Sequence, residues 1–231
     1  LVLAAFPMVL MGWASCSYSG TGHAALPDPR AVDKSVPEYK NPFHPSTYAH
    51  FVARKDYRKT YDVYKDDTLL NRQPKKSRKI FVCLDEQRGQ YLVDGLVAMD
   101  FPLSSGVKAY PTKTGDYAVI SKKEDHTSNL YGKMYDAEGK CINYNAKSTD
   151  PIPEGGRFDG SPMPYWQRLT NAGLGLHVGR VRRHPVSHGC VRLPRNVAEI
   201  LYRQTSIGTP VIIQKTPLPV PEAQKIPPAQ Q

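Results

Sequence analysis

The residues best suited to chemistry lie in one short stretch, LHVGRVRRHPVSHGCVRLP at 176–194, which contains Ser-His-Gly-Cys and has three histidines and four arginines in all. A cysteine attacks as its thiolate, and because a free thiol titrates near about 8.5, a nearby base or cation must assist it. His177 ends a predicted apolar strand, and Cys190 lies on the returning segment. We therefore expect His177 to take the thiol proton of Cys190, in nucleophilic catalysis with acyl transfer as the reaction class.

Gly189 lets the backbone beside the cysteine approach other groups closely. Amides near Cys190 can then face a developing oxyanion, and donors of that kind are typically worth about 3–4 kcal/mol of barrier. Without a base nearby, Cys190 would instead be interpreted as a buried packing residue.

A metal cluster is the alternative for this stretch. Pro185 and Gly189 break the helical register that would align His184 with His188, and no carboxylate lies nearby to orient a ligand, so we predict no metal and no cofactor. His184 and the neighbouring arginines are predicted to be solvated, with the entrance of a substrate cleft as the alternative (Arg180, Arg182 and Arg183). His126 and Asn129 are predicted to be turn residues.

Composition limits the architecture and the partners. A chain of 231 residues accommodates one medium domain with appendages, and 21 prolines and 14 tyrosines favour a strand-rich fold. The net charge of +10 favours an anionic partner, either a nucleic acid, an acidic lipid or a carboxylate-bearing polymer. No RNA-binding signature, zinc-finger spacing or basic helical face is present, so we predict no nucleic-acid partner.

The other cysteines are Cys16, Cys83 and Cys141, and none belongs to a CxxC pair, which argues against a structural zinc site. A disulfide between Cys83 and Cys141 and a pair of buried thiols are both compatible with the sequence.

The first sixteen residues, LVLAAFPMVLMGWASC, are apolar and uncharged, and too few to span a bilayer as a conventional helix of about 20 residues. They are typical of an export signal. Ala14-Ser15-Cys16 resembles a lipobox, after which Cys16 would be lipidated; an ordinary signal peptide or a buried hairpin are the alternatives. We expect an extracytoplasmic protein of the periplasm or cell envelope, held at the membrane by an N-terminal lipid.

The rest of the chain divides into three parts. Residues 17–77 are predicted to be a tether with local structure, residues 78–215 a mostly β domain, and residues 216–231 a proline-rich disordered tail. Within the domain, KIFVCLD and QYLVDGLVAMDF predict a hairpin. One helix is predicted before Gly208, with Asn196 as its cap and Glu199 three residues later.

The ordered set of a strand-borne His177, a short loop and SHGCVRL at 187–193 resembles the YkuD-type L,D-transpeptidases, and SSGVKAYPTKTGDYAVISKKEDHTSNLYG resembles their upstream segment. The similarity spans about 79–215. It implies a β-sandwich or barrel-like catalytic domain with one or two short helices. It also implies that Cys190 is acylated and that His177 is the general base and acid, oriented by the backbone carbonyl of Val178.

The same resemblance implies roles for neighbouring residues. Ser187, His188 and Gly189 would shape the nucleophile loop, and Arg192 would pair with a substrate carboxylate or brace that loop. GSPMPYWQRL resembles a wall of the cleft, which makes three of its residues candidates for substrate contact, with packing as the alternative (Met163, Tyr165 and Trp166).

The implied substrate is the peptidoglycan stem peptide. Cys190 would attack a tetrapeptide stem at diaminopimelate, release D-alanine and pass the acyl group to an amine, in cell-wall cross-linking or protein attachment. The alternatives are an L,D-carboxypeptidase or cysteine peptidase that uses the same thiol, and a non-catalytic wall-binding module. The resemblance also implies β-lactams of the carbapenem class as covalent inhibitors.

Overall fold

The computed structural model describes residues 27–72 and 77–225. The predicted signal segment with Cys16 and the last residues of the predicted tail lie outside these ranges. In the described part of the chain, no helix is both long enough and apolar enough to cross a bilayer.

Strands account for most of the regular structure in the described ranges, which confirms the mostly β prediction. The helices are α1 (Tyr48–Ala53), α2 (Asp67–Asn71), α3 (Arg195–Gln204) and a 3₁₀ turn (Glu222–Gln224). The strands are β1 (Tyr64–Lys65), β2 (Arg78–Cys83), β3 (Arg88–Val93), β4 (Leu96–Pro102), β5 (Gly115–Ala118), β6 (Ser121–Lys123), β7 (Thr127–Tyr135), β8 (Cys141–Lys147), β9 (Arg157–Pro162), β10 (Trp166–Arg168), β11 (Gly175–Val178), β12 (Val191–Leu193) and β13 (Pro210–Gln214).

The strands form three sheets, with six strands in the order β1-β4-β3-β2-β13-β5, four in the order β12-β11-β10-β6, and three in the order β8-β7-β9. The predicted hairpin is confirmed, because β2 and β3 pair antiparallel from Arg78↔Val93 to Cys83↔Arg88. Two pairs are parallel, β13 with β2 and β11 with β12.

One face of the six-stranded sheet, the inner face, packs against the four-stranded sheet and α3. Alternation along the strands sends Ile80, Val82 and Ile213 into this core, where they meet Leu176 and Val191 of the smaller sheet. The strands β11 and β12 are therefore packed on one side against the buried apolar side chains of the six-stranded sheet.

The helix α3 buries Val197, Ala198 and Leu201 in the same core, as its spacing predicts. The prediction that Asn196 caps it is wrong. The N-cap is Pro194, without a side-chain hydrogen bond, and Asn196 lies inside the first turn. The proline already supplies the extended backbone from which the helix starts.

The opposite, outer face of the six-stranded sheet is covered by residues 27–72, which we call the N-terminal layer, except that Leu69 and Leu70 of α2 join the inner core. Phe51 and Tyr57 of this layer are buried against Phe81 and Leu92 of the sheet. The structure thus differs from the expected tether, because the aromatic side chains of this segment supply enough apolar surface to pack on the sheet.

The beginning of the predicted disordered tail also packs on this outer side. Val220 is buried, and the side chain of Gln224 bonds both the backbone N–H and the backbone carbonyl of Val97, at 2.7 and 2.9 Å. Residues 216–225 are therefore held by contacts that their proline content does not reveal.

Cys83 and Cys141 are both free thiols. Cys83 is buried on the outer face of β2, and its Sγ donates to the carbonyl of Lys215 at 3.0 Å. Cys141 begins β8 in the separate three-stranded sheet. The structure therefore realises the second of the two alternatives for this pair, without a disulfide, although Cys141 is only partly buried.

Candidate active site

The parallel pairing of β11 with β12 brings His177 and Cys190 to one face. Leu176 is opposite Val191, and both point into the core, so the residues beside them point the other way. His177 and Cys190 consequently face the same side, at the floor of a cleft of about 810 Å³ that both residues line.

The imidazole of His177 is held in one tautomer. Its Nδ1 lies 2.8 Å from the carbonyl oxygen of Val178, which confirms that expected contact. A carbonyl only accepts, so Nδ1 carries the proton and Nε2 keeps a free lone pair. Burial lowers the pKa of His177 to about 4, against the opposing effect of this hydrogen bond. The imidazole is neutral at pH 7 and is ready to accept a proton at Nε2.

The thiol of Cys190 is also neutral in the free protein. Burial raises its pKa, whereas the Gly175 amide and the charge of Arg192 act in the opposite direction. The Sγ donates to the carbonyl oxygen of Gly173 at 3.3 Å. The pair is therefore a thiol and an imidazole rather than a standing ion pair, and the thiolate has to form when the proton is transferred.

Ser187 shapes the loop that presents the cysteine. Its Oγ donates to the carbonyl oxygen of Cys190 at 2.5 Å and accepts from the Gly189 amide at 3.1 Å. Gly189 has φ of +115°, a backbone conformation that side chains strongly disfavour. Both residues thus fix the turn from which the Sγ projects.

Thr112 is a second brace, and the functional assignment from sequence missed it. Its Oγ1 accepts from the Gly106 amide at 2.8 Å and donates to the carbonyl oxygen of Gly189 at 2.6 Å. A Cβ on Gly106 would lie 2.8 Å from the Cα of Gly189 and 2.1 Å from the carbonyl oxygen of Tyr110, so only glycine allows this approach. The signal was the PTKTG stretch within the family-like upstream segment.

Aromatic rings form the walls of the cleft. The ring of His188 stacks on Tyr131 of β7 at 4.3 Å between centroids, and Tyr110 lies 4.9 Å away. On the other side, Trp166 stacks on His126 at 5.0 Å. His126, which the sequence suggested as a turn residue, therefore contributes to the wall of the cleft.

The structure brings most of the residues predicted from sequence into the cleft, and its lining includes Ser187, His188, Gly189, Arg192, Met163 and Trp166. Tyr165 is the exception. It has φ of +55° and its ring packs edge-on against Tyr202 of α3 at 5.6 Å, away from the cleft. Tyr165 lies just before β10, and its positive φ turns the ring toward α3, whereas Trp166 at the start of β10 lines the cleft.

The basic run between His177 and Cys190 separates into three environments. Arg180 lines the cleft, and His184 is exposed, as predicted. Arg183 contradicts the expectation of a solvated side chain, because it is half-buried and its guanidinium donates to the backbone carbonyls of Thr60 and Glu86 at 2.5 and 2.8 Å.

The charges that line the cleft are all positive. They come from Lys113, Arg168, Arg180 and Arg192, and no carboxylate belongs to the lining within the described residues. Burial lowers the pKa of Arg192, and in the described part of the chain its guanidinium has neither a hydrogen bond nor an ion pair. Such a surface favours an anionic ligand.

The residues that the structure describes contain no group of three or more His, Cys, Asp or Glu side chains that could hold a metal ion.

The fold and the site together define a mostly β domain with a cysteine and a histidine at the floor of a cationic cleft. The family model described as YkuD, the L,D-transpeptidase catalytic domain, matches residues 77–213. The chain therefore belongs to the YkuD family of L,D-transpeptidases.

Among curated proteins, the chain is similar to a probable L,D-transpeptidase 3 of Mycobacterium tuberculosis, with 32% identity over 121 residues. The match covers 49% of this chain and 38% of that relative, so the chain spans less than half of the relative's length.

The solved structures that are similar include an L,D-transpeptidase from Mycobacterium smegmatis, with a TM-score of 0.46, 22% identity, and coverage of 59% of this chain and 58% of that chain. They also include the catalytic domain of the E. faecium L,D-transpeptidase, with a TM-score of 0.44, 28% identity, and coverage of 60% of this chain and 98% of that chain.

Proposed function

We propose that this protein is a peptidoglycan L,D-transpeptidase in which Cys190 is acylated by a tetrapeptide stem at diaminopimelate. The observation that carries the proposal is that His177 of β11 and Cys190, which directly precedes the neighbouring strand β12, line the same cleft, with Nε2 of His177 free to accept a proton. Membership of the YkuD family supplies the reaction class.

In the first half-reaction, Nε2 of His177 takes the proton of the Cys190 thiol as Sγ attacks the diaminopimelate carbonyl carbon. The carbon–nitrogen bond to D-alanine then breaks, and His177 returns the proton to the departing amine. The product is a thioester at Cys190 together with free D-alanine.

In the second half-reaction, an amine of a second stem or of a protein attacks the thioester. His177 takes a proton from that amine and returns it to the sulfur, so that an amide forms and the thiol is regenerated. Water in place of the amine would give an L,D-carboxypeptidase, and the products distinguish the two.

The cationic lining suits this substrate, because peptidoglycan stems carry several carboxylates. Arg192 is the best placed of these cations for a substrate carboxylate, since it lies opposite His177 in the parallel register and has no protein anion as partner among the described residues. Met163 and Trp166 would contact the stem from the wall of the cleft.

The proposal places the protein outside the cytoplasm, in the periplasm or cell envelope, where its substrate lies. The apolar segment before Cys16 supports export, and a lipid on Cys16 would hold the domain at the membrane. Mass spectrometry of the N-terminal peptide from cells would detect that lipid, and an unmodified Cys16 would refute the anchor.

The direct test is mass spectrometry of purified muropeptides after incubation with the protein. We expect loss of terminal D-alanine and the appearance of cross-linked dimers. Tripeptides without dimers would identify the carboxypeptidase reaction. No change at all, while a control transpeptidase converts the same muropeptides, would overturn the proposal.

A carbapenem separates the enzyme from a non-catalytic wall-binding module. Attack on the β-lactam carbonyl opens the ring without a leaving group, so the whole drug should remain as a mass increase on Cys190. A protein that binds sacculi without reacting would support the module instead.

A further inference from the structure

The loop between His177 and Cys190 is fixed from behind by a residue that the reaction does not require. Arg183 lies in the middle of this loop with φ of +57°, and its guanidinium points away from the cleft. It donates to the carbonyl oxygen of Thr60 at 2.5 Å and to that of Glu86 at 2.8 Å. The first acceptor belongs to the N-terminal layer and the second to the turn between β2 and β3.

The acceptor in the N-terminal layer is itself rigidly held. Arg88 donates to the carbonyl of the same Thr60 at 3.2 Å and to that of Asp62 at 3.0 Å, and it forms a fully buried ion pair with Asp100. The hydroxyl of Tyr57 also donates to Asp100, at 2.9 Å. Arg183 is thus bonded to a backbone segment that a buried network keeps in place.

The second acceptor connects to the nucleophile loop by another route. The Glu86 carboxylate is bonded by Arg30 at 2.9 Å. The next residue, Gln87, bonds both the amide and the hydroxyl of Ser105, at 2.9 and 2.8 Å. The Ser105 carbonyl in turn accepts from the Ser187 amide at 3.0 Å.

The family model matches residues 77–213, so the N-terminal layer lies outside the matched domain. We propose that this layer is a positioning element for the nucleophile loop and that Arg183 is the positioning residue through which it acts. This proposal rests on the proposed function. The positioning proposal extends the proposed function, because it assigns a role to a segment that neither binds the substrate nor carries a reacting group.

The test is the rate of carbapenem acylation of Cys190, followed by mass spectrometry in Arg183→Ala, Arg183→Lys and Arg182→Ala. We expect Arg183→Ala to lower the rate at saturating drug by about tenfold, because small displacements of a nucleophile are costly. The drug concentration at half-saturation should not change, since Arg183 does not line the cleft. Arg183→Lys should recover part of the rate, because an ammonium can reach one of the two carbonyls.

Arg182→Ala is the matched control, since it removes the same charge from an exposed side chain of the same loop. It should acylate at the wild-type rate, to within about twofold on the same scale. A purely structural role would lower the melting temperature of Arg183→Ala and leave the rate of the folded fraction unchanged, and that result would overturn the proposal. If Arg183→Ala does not fold, Arg183→Lys decides, and a wild-type rate in that variant would overturn it.

The rate at which iodoacetamide alkylates Cys190 tests the positioning role independently of the proposed function. If the wild-type protein does not react with the carbapenem, the proposed function fails, and the alkylation rate still reports on the loop. Equal alkylation of Arg183→Ala and Arg182→Ala would then refute the positioning role, whereas a changed rate in Arg183→Ala alone would support it.

Discussion

On the inner face of the six-stranded sheet, Ile80, Val82 and Ile213 pack against the strands that carry His177 and Cys190. On the outer face, the N-terminal layer adds an apolar cluster and covers a buried ion pair between Arg88 of β3 and Asp100 of β4. The inner face supports the strands of the site by apolar packing, which tolerates hydrophobic substitutions of similar volume. The outer face depends on hydrogen bonds among buried polar groups, so the loss of a single partner there should have a large effect on stability and only an indirect effect on the site.

The largest expected effect lies on the cleft side and tests whether the chemistry resides there. Cys190→Ala should abolish both the carbapenem adduct and the release of D-alanine, because the thiols of Cys83 and Cys141 do not line the cleft and cannot replace the nucleophile. His184→Ala should retain activity to within about twofold, since its side chain is exposed and its ring bonds only the Arg182 carbonyl. Intact-protein mass spectrometry and muropeptide analysis measure both variants. Activity in Cys190→Ala would refute the assignment of Cys190 as the nucleophile.

The next prediction concerns the stability that the outer face supplies. Asp100 accepts from Arg88, Tyr48, Tyr57 and Gln90. Asp100→Asn leaves the Arg88 guanidinium buried without an anion, which should lower the free energy of unfolding by about 3–5 kcal/mol. Denaturant titration measures it.

The control for that prediction is an exposed ion pair within the N-terminal layer. Asp62 pairs with Arg54 while its side chain is 58% exposed, so Asp62→Asn should cost no more than about 1 kcal/mol. An equal loss of unfolding free energy in both variants would show that the buried ion pair contributes no more to stability than the exposed one.

Thr112 fixes the nucleophile turn at the edge of the cleft through two hydrogen bonds. Thr112→Val keeps the shape of the side chain but leaves the Gly106 amide and the Gly189 carbonyl without their shared partner. We expect the acylation rate to fall about tenfold, since the nucleophile turn is no longer fixed. Thr114→Val, which replaces an exposed residue of the same PTKTG stretch, should not change the rate. Equal acylation rates in the two variants would indicate that the nucleophile turn keeps its conformation without the hydrogen bonds of Thr112.

The sequence was sufficient where neighbouring residues determine the outcome. The β-branched and aromatic residues of KIFVCLD and QYLVDGLVAMDF predict the hairpin, and the apolar residues before His177 predict a strand whose end faces the returning segment with Cys190. It was insufficient where polar partners are distant in the chain. Arg183 and Thr60 are 123 residues apart, and Tyr48 and Asp100 are 52 apart, so no local pattern reports either contact. The same limit explains Tyr165, whose direction is set by the positive φ and by packing against α3.

The smallest expected effect is the pH dependence of acylation, which tests how closely the groups around His177, among them Trp166 at 5.9 Å between ring centroids, exclude water from the base. Burial lowers the pKa of His177 to about 4, so the imidazole should remain unprotonated at pH 5.5. The acylation rate kcat/KM should therefore change by less than about twofold between pH 7 and pH 5.5, and fall only as the pH approaches 4. A solvated histidine with a pKa near about 6.5 would instead lose about tenfold over the same interval. A tenfold loss, with the protein shown by circular dichroism to be folded at pH 5.5, would mean that water reaches His177.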